Sequence, residues 1–104
     1  MKRIRATAVF VGLGLACFPT GLAYAASEDA WETFRTDVEA KCLTAAEALF
    51  ETAVATVDPF GSESYGLALV RGKAKGADAE IAAICVYDKQ AKTVEIGGEL
   101  PATE

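Results

Sequence analysis

Two cysteines, Cys42 and Cys85, constrain the fold of this 104-residue chain more than any other feature of its sequence. We expect the third cysteine, Cys17, to leave with an N-terminal export signal, so that an even pair remains in an oxidising compartment. The sequence therefore predicts a Cys42–Cys85 disulfide, which closes a loop of 44 residues. Loop-closure entropy gives such a bond about 4 kcal/mol, less any strain in the folded state. Two unpaired buried thiols are the alternative.

Residues 1–25 have the three parts of a cleavable secretory signal peptide. These are the cationic start Met1–Arg5, the 13-residue apolar run Ala6–Phe18 and the small-x-small exit Ala23–Ala25. The apolar run is shorter than the about 20 residues that a membrane span needs. We expect cleavage after Ala25 and a single periplasmic or secreted domain over residues 26–104, with no membrane attachment after cleavage. Lipidation at Cys17 and an uncleaved anchor are the alternatives.

The charge of the remaining domain limits its partners. All 15 acidic residues and seven of the 10 basic residues lie after Ala25, so the mature net charge is −8. A surface this acidic disfavours nucleic acid and suits a basic protein partner, although acidity can also serve solubility alone. The chain has no histidine. With both remaining cysteines paired, we expect no metal site and no cofactor.

Hydrophobic periodicity predicts an α+β domain, in which one N-terminal amphipathic helix is tied by the disulfide to a three- or four-stranded antiparallel sheet. Ser27 is expected to cap a helix over about 28–47, whose apolar stripe is Trp31, Phe34, Val38, Cys42, Ala45 and Leu49. Strands are predicted at 65–71, 81–87 and 93–96, with a loop over 72–78 and a frayed tail from Gly97. Residues 50–57 favour a further strand, and helix continuation to Ala55 is the competing interpretation.

The disulfide also predicts which way the strand at 81–87 faces. Because Cys42 lies on the helix stripe, Cys85 must point toward the helix, and strand alternation places Ile81, Ala83 and Tyr87 with it. The other face then carries Ala82, Ile84 and Val86, which are also apolar. Either the sheet curls over a second layer, which we favour slightly, or that face meets a partner or a second copy.

The stretch from Val57 to Gly66 is the best candidate for a binding surface. It combines a turn at Asp58-Pro59-Phe60-Gly61 with the hydroxyls, carboxylate and aromatic ring of Ser62, Glu63, Ser64 and Tyr65. Aromatic and small polar side chains on a loop are typical of protein-binding surfaces. The structural alternative is a connection whose Phe60 and Tyr65 fill the core.

Catalytic motifs are weak. No G-x-S-x-G motif surrounds the serines, and a Ser-Lys pair using Lys73, Lys75 or Lys89 has no specific support. The basic segment 71–76 lacks the spacing of a phosphate-binding loop and is typical of a solvated hairpin end. We therefore expect a protein that is not an enzyme.

Two motifs carry a family resemblance. Val57-Asp58-Pro59-Phe60-Gly61-Ser62-Glu63-Ser64-Tyr65-Gly66 and Ile84-Cys85-Val86-Tyr87-Asp88-Lys89 resemble a group of small exported alphaproteobacterial proteins of mostly unassigned function. That group resembles, in part, periplasmic inhibitors of peptidoglycan hydrolases. Inhibitors of c-type lysozyme present a serine- and glycine-rich loop that leads to a tyrosine, and residues 61–65 are similar in character. Glu63 departs from that pattern, and so does the predicted helix, since those inhibitors are mostly β-barrels.

The resemblance implies a non-enzymatic periplasmic inhibitor of a lysozyme-like peptidoglycan hydrolase, with Ser62, Glu63, Ser64 and Tyr65 as the partner-binding residues. Lysozymes of the c type are strongly basic, so an acidic partner would be steered to them. The alternative function is a structural or accessory envelope protein that forms a homodimer or docks through the apolar sheet face.

Overall fold

The computed structural model describes residues 20–102, with side chains from residue 27, so Cys17 and most of the predicted signal peptide lie outside the described residues. Residues from Trp31 onward form a compact unit, to which the core and the site described below belong. The elements are α1 (Thr20–Ala46), β1 (Phe50–Val57), β2 (Tyr65–Ala74), β3 (Glu80–Asp88), β4 (Val94–Ile96) and β5 (Leu100–Pro101). No helix within residues 20–102 is long and apolar enough to cross a membrane.

The strands form one antiparallel sheet in the order β1-β2-β3-β4, and β5 pairs with β3 beyond β4. Helix α1 and the sheet are joined by the Cys42–Cys85 disulfide, whose Cα atoms are 5.9 Å apart. The predicted α+β fold and the predicted disulfide are therefore confirmed. Residues 50–57 form the strand that their β-branched side chains favoured, so continuation of the helix was the wrong alternative.

The core lies between α1 and one sheet face. Val38, Cys42 and Ala46 are fully buried at a spacing of four residues, as one face of a helix requires. From β3, the side chains of Ile81, Ala83, Cys85 and Tyr87 are buried against this stripe, which confirms their predicted orientation. Phe50 closes the end of the core beyond the helix.

Three local predictions were wrong. The backbone of Ser27 is helical, so it does not cap α1, because the alanine-rich segment before it favours helix and carries α1 back to Thr20. Residues 72–74 belong to β2 rather than to a loop, since Gly72 and Lys73 pair with β1 and β3. The tail also pairs with the sheet, where Leu100 lies opposite Ala82.

The second sheet face, called the open face, carries Val54, Leu67, Leu69, Ile84 and Val86. The strand register aligns these residues across β1, β2 and β3. Within residues 27–102 no second layer covers them, and Ile84 is 50% exposed and Val54 68% exposed. The curled sheet that we favoured is therefore not formed by the described residues. Ala82 is the exception on β3, because β5 pairs beside it and it is buried.

A polar network closes one end of the core. The hydroxyl of Tyr87, which is 2% exposed, donates a short hydrogen bond to the carboxylate of Asp37. Lys41 Nζ lies 3.5 Å from the same carboxylate and donates to the carbonyl of Lys92 at 2.9 Å. Desolvation, followed by the hydrogen bond to Asp37, raises the pKa of Tyr87 to about 12. The Tyr87 hydroxyl, assisted by Lys41, lowers the pKa of Asp37.

This network predicts two pH windows for stability. Tyr87 holds its proton more tightly in the folded state, so its contribution should be present below its unfolded pKa of about 10 and be lost as the pH rises toward about 12. Asp37 has a lowered pKa, so its contribution should be present above about pH 4 and be lost as the pH falls further. Urea unfolding between pH 9 and pH 12, as rough limits around these values, should show the alkaline loss. Tyr87→Phe should remove that loss, and an unchanged alkaline slope in this variant would contradict the assignment.

Candidate functional site

The segment called the 58–66 loop contains the connection between β1 and β2 together with Tyr65 and Gly66, the first two residues of β2. Hydrogen bonds within this segment fix its shape. Asp58 Oδ1 accepts hydrogen bonds from the backbone N–H groups of Phe60 at 3.2 Å and Gly61 at 3.0 Å. Gly61 has φ 71°, a conformation that favours glycine, and a Cβ there would overlap the Tyr65 carbonyl. Ser62 N donates to that same carbonyl at 2.8 Å. The turn residues identified in the sequence therefore form a closed, specific turn.

Ser62 supports the loop from within. Its hydroxyl accepts a hydrogen bond from Tyr65 N at 3.1 Å and can donate to Tyr65 O at 3.3 Å. Both polar directions of this side chain are thus directed toward the loop backbone. Of the four predicted partner-binding residues, Ser62 is the one whose functional group is occupied, and its role in the loop is to position the others.

Lys89, which lies in the turn after β3, holds the 58–66 loop by hydrogen bonds to its carbonyl groups. Its Nζ donates to the carbonyls of Phe60 at 2.9 Å and Ser62 at 2.6 Å, and its backbone N–H donates to Ser64 O at 3.1 Å. Three loop carbonyls are therefore satisfied by one residue. Charge-assisted hydrogen bonds of this kind are stronger than neutral ones, so they restrict loop motion effectively.

Aromatic rings of α1 complete this support. Lys89 Nζ lies 5.3 Å from the ring centroid of Trp31 and 5.2 Å from that of Phe34. Trp31 also meets Phe60 edge to face at 4.9 Å. Arg35 donates to Pro59 O at 3.1 Å, so the helix holds the start of the loop by both apolar and polar contacts.

Glu63, Ser64 and Tyr65 point away from this support. Their side chains are exposed, Tyr65 at 45%, and within residues 27–102 none of them makes a side-chain hydrogen bond or ion pair. Phe60 is 51% exposed, so neither Phe60 nor Tyr65 fills the core as the structural alternative required. The structure thus brings together three predicted contact residues on a braced surface.

Tyr65 stands between two shallow hollows. One, of about 400 Å³, is lined by Glu63, Ser64, Tyr65, Asp88, Lys89 and Gln90. The other, of about 480 Å³, is lined by Tyr65, by apolar residues that include Ile84 and Val86, and by the acidic residues Asp88 and Glu95. Both hollows contain carboxylates, and Lys89, the cation at the first one, already donates to loop carbonyls. The surface around Tyr65 therefore favours a partner group that is cationic with an apolar stem.

Within residues 27–102 no lysine is hydrogen-bonded to the hydroxyl of Ser62 or Ser64. Lys89 Nζ donates to two loop carbonyls, Lys73 Nζ lies 3.3 Å from Glu51, and Lys75 Nζ donates to Glu47 O at 2.7 Å. Residues 20–102 contain no cluster of three or more His, Cys, Asp or Glu side chains that could ligate a metal.

Sequence reasoning did not identify the bracing residues. Trp31 was assigned to the core stripe, and Lys89 was considered only as part of a motif and of an unsupported Ser-Lys pair, although both contact the 58–66 loop. Helix spacing was a usable signal for the residues of α1, because Trp31 and Arg35 are four residues apart and therefore share a helix face.

No protein-family model, curated protein or solved structure matches this chain.

Proposed function

We propose that this protein is a periplasmic, non-enzymatic binding protein that inhibits a lysozyme-like peptidoglycan hydrolase through the 58–66 loop. The observation that carries the proposal is the pairing of a fixed loop backbone with free side chains at Glu63, Ser64 and Tyr65. A loop that is ordered before binding loses little conformational entropy when it binds, which favours affinity.

The chemistry of the exposed surface supports a basic partner. Glu63, Tyr65 and Asp88 line one hollow, and the neighbouring hollow contains Asp88 and Glu95. An exposed tyrosine provides a large contact area with few rotatable bonds, which makes it a common energetic centre of interfaces. Carboxylates around it attract a cationic surface and raise the rate of encounter. A c-type lysozyme has the charge that this surface requires.

The disulfide supports the proposed compartment. Disulfides persist in oxidising environments such as the periplasm and are rare in the cytosol. Cys42 and Cys85 are both fully buried and bonded to each other, and an exported protein folds in an oxidising compartment where this bond can form. The proposed signal peptide at residues 1–25 is the route to that compartment.

The first test is a cell-wall clearing assay with c-type lysozyme and the mature chain, residues 26–104. We expect inhibition that saturates near one molecule per enzyme. If lysozyme still clears the cell walls fully at about a tenfold molar excess of the mature chain, the affinity is too weak for inhibition and c-type lysozyme is rejected as the target.

Loop variants test which residues make the contact. Tyr65→Ala should raise the inhibition constant about 30-fold, equivalent to about 2 kcal/mol, because a central aromatic contact is lost. Ser64→Ala should have a smaller effect, and Glu63→Gln should mainly slow association. Glu99→Gln, an exposed carboxylate outside the loop with the same charge change, and Val54→Ala on the open face are the matched controls. Unchanged inhibition by Tyr65→Ala would exclude the loop as the contact.

A second candidate is a structural or accessory envelope protein that docks through the open face. The exposure of Ile84 and Val54 favours it, because apolar side chains aligned on one sheet face are typical of interaction surfaces. Val54→Lys, on the open face and outside both hollows beside Tyr65, should abolish such docking and leave lysozyme inhibition intact. If Val54→Lys abolishes inhibition while Tyr65→Ala does not, the open face is the functional surface.

A further inference from the structure

The outer side of β1 is an unprotected sheet edge. Strand β1 pairs only with β2, and among residues 20–102 no other strand lies beside it. Its eight residues, Phe50–Val57, include no lysine and no proline, and their one charged side chain is Glu51 near the beginning. The register shift between Phe50 and Thr52 affects only that end. Exposed edges of this kind are templates for pairing with another strand.

The other side of the sheet is protected in the usual ways. It is divided between β4, which has three residues, and β5, which has two and ends on Pro101. Gly97 and Gly98 separate these two short strands. Short strands, a proline and a break each prevent edge-to-edge association. The two edges therefore differ sharply, and among the strands of residues 20–102 only β1 offers a continuous row of backbone groups.

The register of β1 shows which backbone groups face outward. Asp58 N donates to Leu67 O at 2.8 Å, and pairing is regular from Thr52 to Val57. Because hydrogen-bonded pairs alternate in an antiparallel ladder, Val54 and Thr56 also direct their backbone groups to β2. The backbone N–H and C=O groups of Ala53, Ala55 and Val57 consequently point away from the sheet, where a second strand could bind them.

We propose that β1 pairs antiparallel with β1 of a second copy of this chain, about a two-fold axis at Val54. This register places Val54 opposite its own copy in a close, non-hydrogen-bonded pair, which would cover the most exposed large apolar side chain, now 68% exposed. Ala53 exchanges hydrogen bonds with Ala55 of the second copy, and Thr52 lies opposite Thr56.

Charge and size are compatible with that pairing. Glu51 lies opposite Val57 of the second copy, so no like charges meet across the axis. Ala53 and Ala55 carry the small side chains on the helix side, which allows the two backbones to approach. The same strand register continues the open face across both copies, so Val54, Ile84 and their counterparts would form one apolar surface.

Pairing of this kind stops at two copies. It is isologous, so each β1 edge is used by the other, and the edges that remain are the short β4 and β5 strands. The two β1 strands run in opposite directions, so the two 58–66 loops emerge at opposite ends of the shared sheet. Both loops stay free, and the dimer would present two binding surfaces.

Light scattering after size exclusion, with the mature chain at rising concentration, tests the proposal. We expect a monomer at low protein concentration and a dimer at about 1 mM protein, because an interface limited to one strand is small. Ala55→Pro removes an outward-facing N–H donor of β1 without breaking a hydrogen bond to β2. It should raise the dissociation constant of the dimer at least about tenfold. Val54→Lys places two cations at the axis and should do the same. Ile84→Lys, on the open face but distant from the edge, is the control and should dimerise normally.

Cross-linking tests the register. Val54→Cys should form an intermolecular disulfide with itself under mild oxidation, because non-hydrogen-bonded antiparallel pairs bring Cα atoms within about 4.5 Å. Thr56→Cys alone should not cross-link, but a mixture with Thr52→Cys should. A wild type that remains monomeric throughout, or a dimer that Ile84→Lys abolishes while Ala55→Pro and Val54→Lys leave it intact, would overturn the proposal. Lysozyme inhibition is measured in a separate assay. Neither dimerisation nor its absence decides whether the 58–66 loop inhibits lysozyme.

Discussion

Removal of the Cys42–Cys85 disulfide is expected to lower the free energy of unfolding by about 4 kcal/mol, because the unfolded chain regains the entropy of a closed loop. The bond joins positions 43 residues apart and closes a loop that contains the last turn of α1, β1, β2 and β3 as far as Cys85. Both cysteines are fully buried. A predicted mature domain of 79 residues has a small core, so this loss is a large share of its stability.

Urea unfolding of the oxidised wild type and of the Cys42→Ala/Cys85→Ala variant measures the loss. The wild type with and without reductant is the control, since reduction breaks the bond without removing the sulfur atoms. We expect both treatments to lower the midpoint strongly. Equal midpoints for all forms, or two free thiols in native protein, would show that the bond does not stabilise the fold.

Gly72→Ala is expected to cost about 3 kcal/mol, because it forces atoms into a backbone that cannot yield. Gly72 lies in β2 opposite Ala53. A Cβ at this position would overlap the Thr52 carbonyl oxygen and lie 2.9 Å from Ala53 Cα. Both neighbours belong to the paired strand β1, so relief would require the two strands to separate.

Gly98→Ala is the matched control, since a Cβ at Gly98 meets nothing within 4 Å. Thermal unfolding of the two variants beside the wild type separates the clash from the general effect of replacing glycine. We expect a strong decrease in melting temperature for Gly72→Ala and little change for Gly98→Ala. A Gly72→Ala variant as stable as wild type would mean that β1 and β2 are not in the register described.

The fold was largely predictable because two signals agreed. Spacing placed Cys42 on the apolar stripe of a helix, and alternation then oriented Ile81, Ala83 and Tyr87 once Cys85 was taken as its partner. The errors occurred where longer-range pairing overrode local preference. Gly72 was predicted to lie in a loop, but it pairs with strands on both sides. The tail from Gly97 was predicted to fray, but Leu100 pairs with Ala82 of β3.

The candidate site was predictable only in part. The turn at Asp58–Gly61 follows from local residue chemistry, and the structure contains it. The exposure of Tyr65 did not follow from the sequence, which left a core-filling ring as the alternative. The support of the loop by Lys89 and Trp31 depends on contacts between segments 29 residues apart in sequence. Local patterns carry no information on such contacts, so neither residue could be assigned its role from sequence.

The central claim is that the 58–66 loop is an ordered surface that binds a basic peptidoglycan hydrolase. Isothermal titration of c-type lysozyme with the mature chain and with Tyr65→Ala tests it most directly. We expect a one-to-one complex for the wild type and an affinity about 30-fold weaker for Tyr65→Ala, the loss typical of a central aromatic residue. No binding heat with the wild type, or equal affinities for the two proteins, would contradict it.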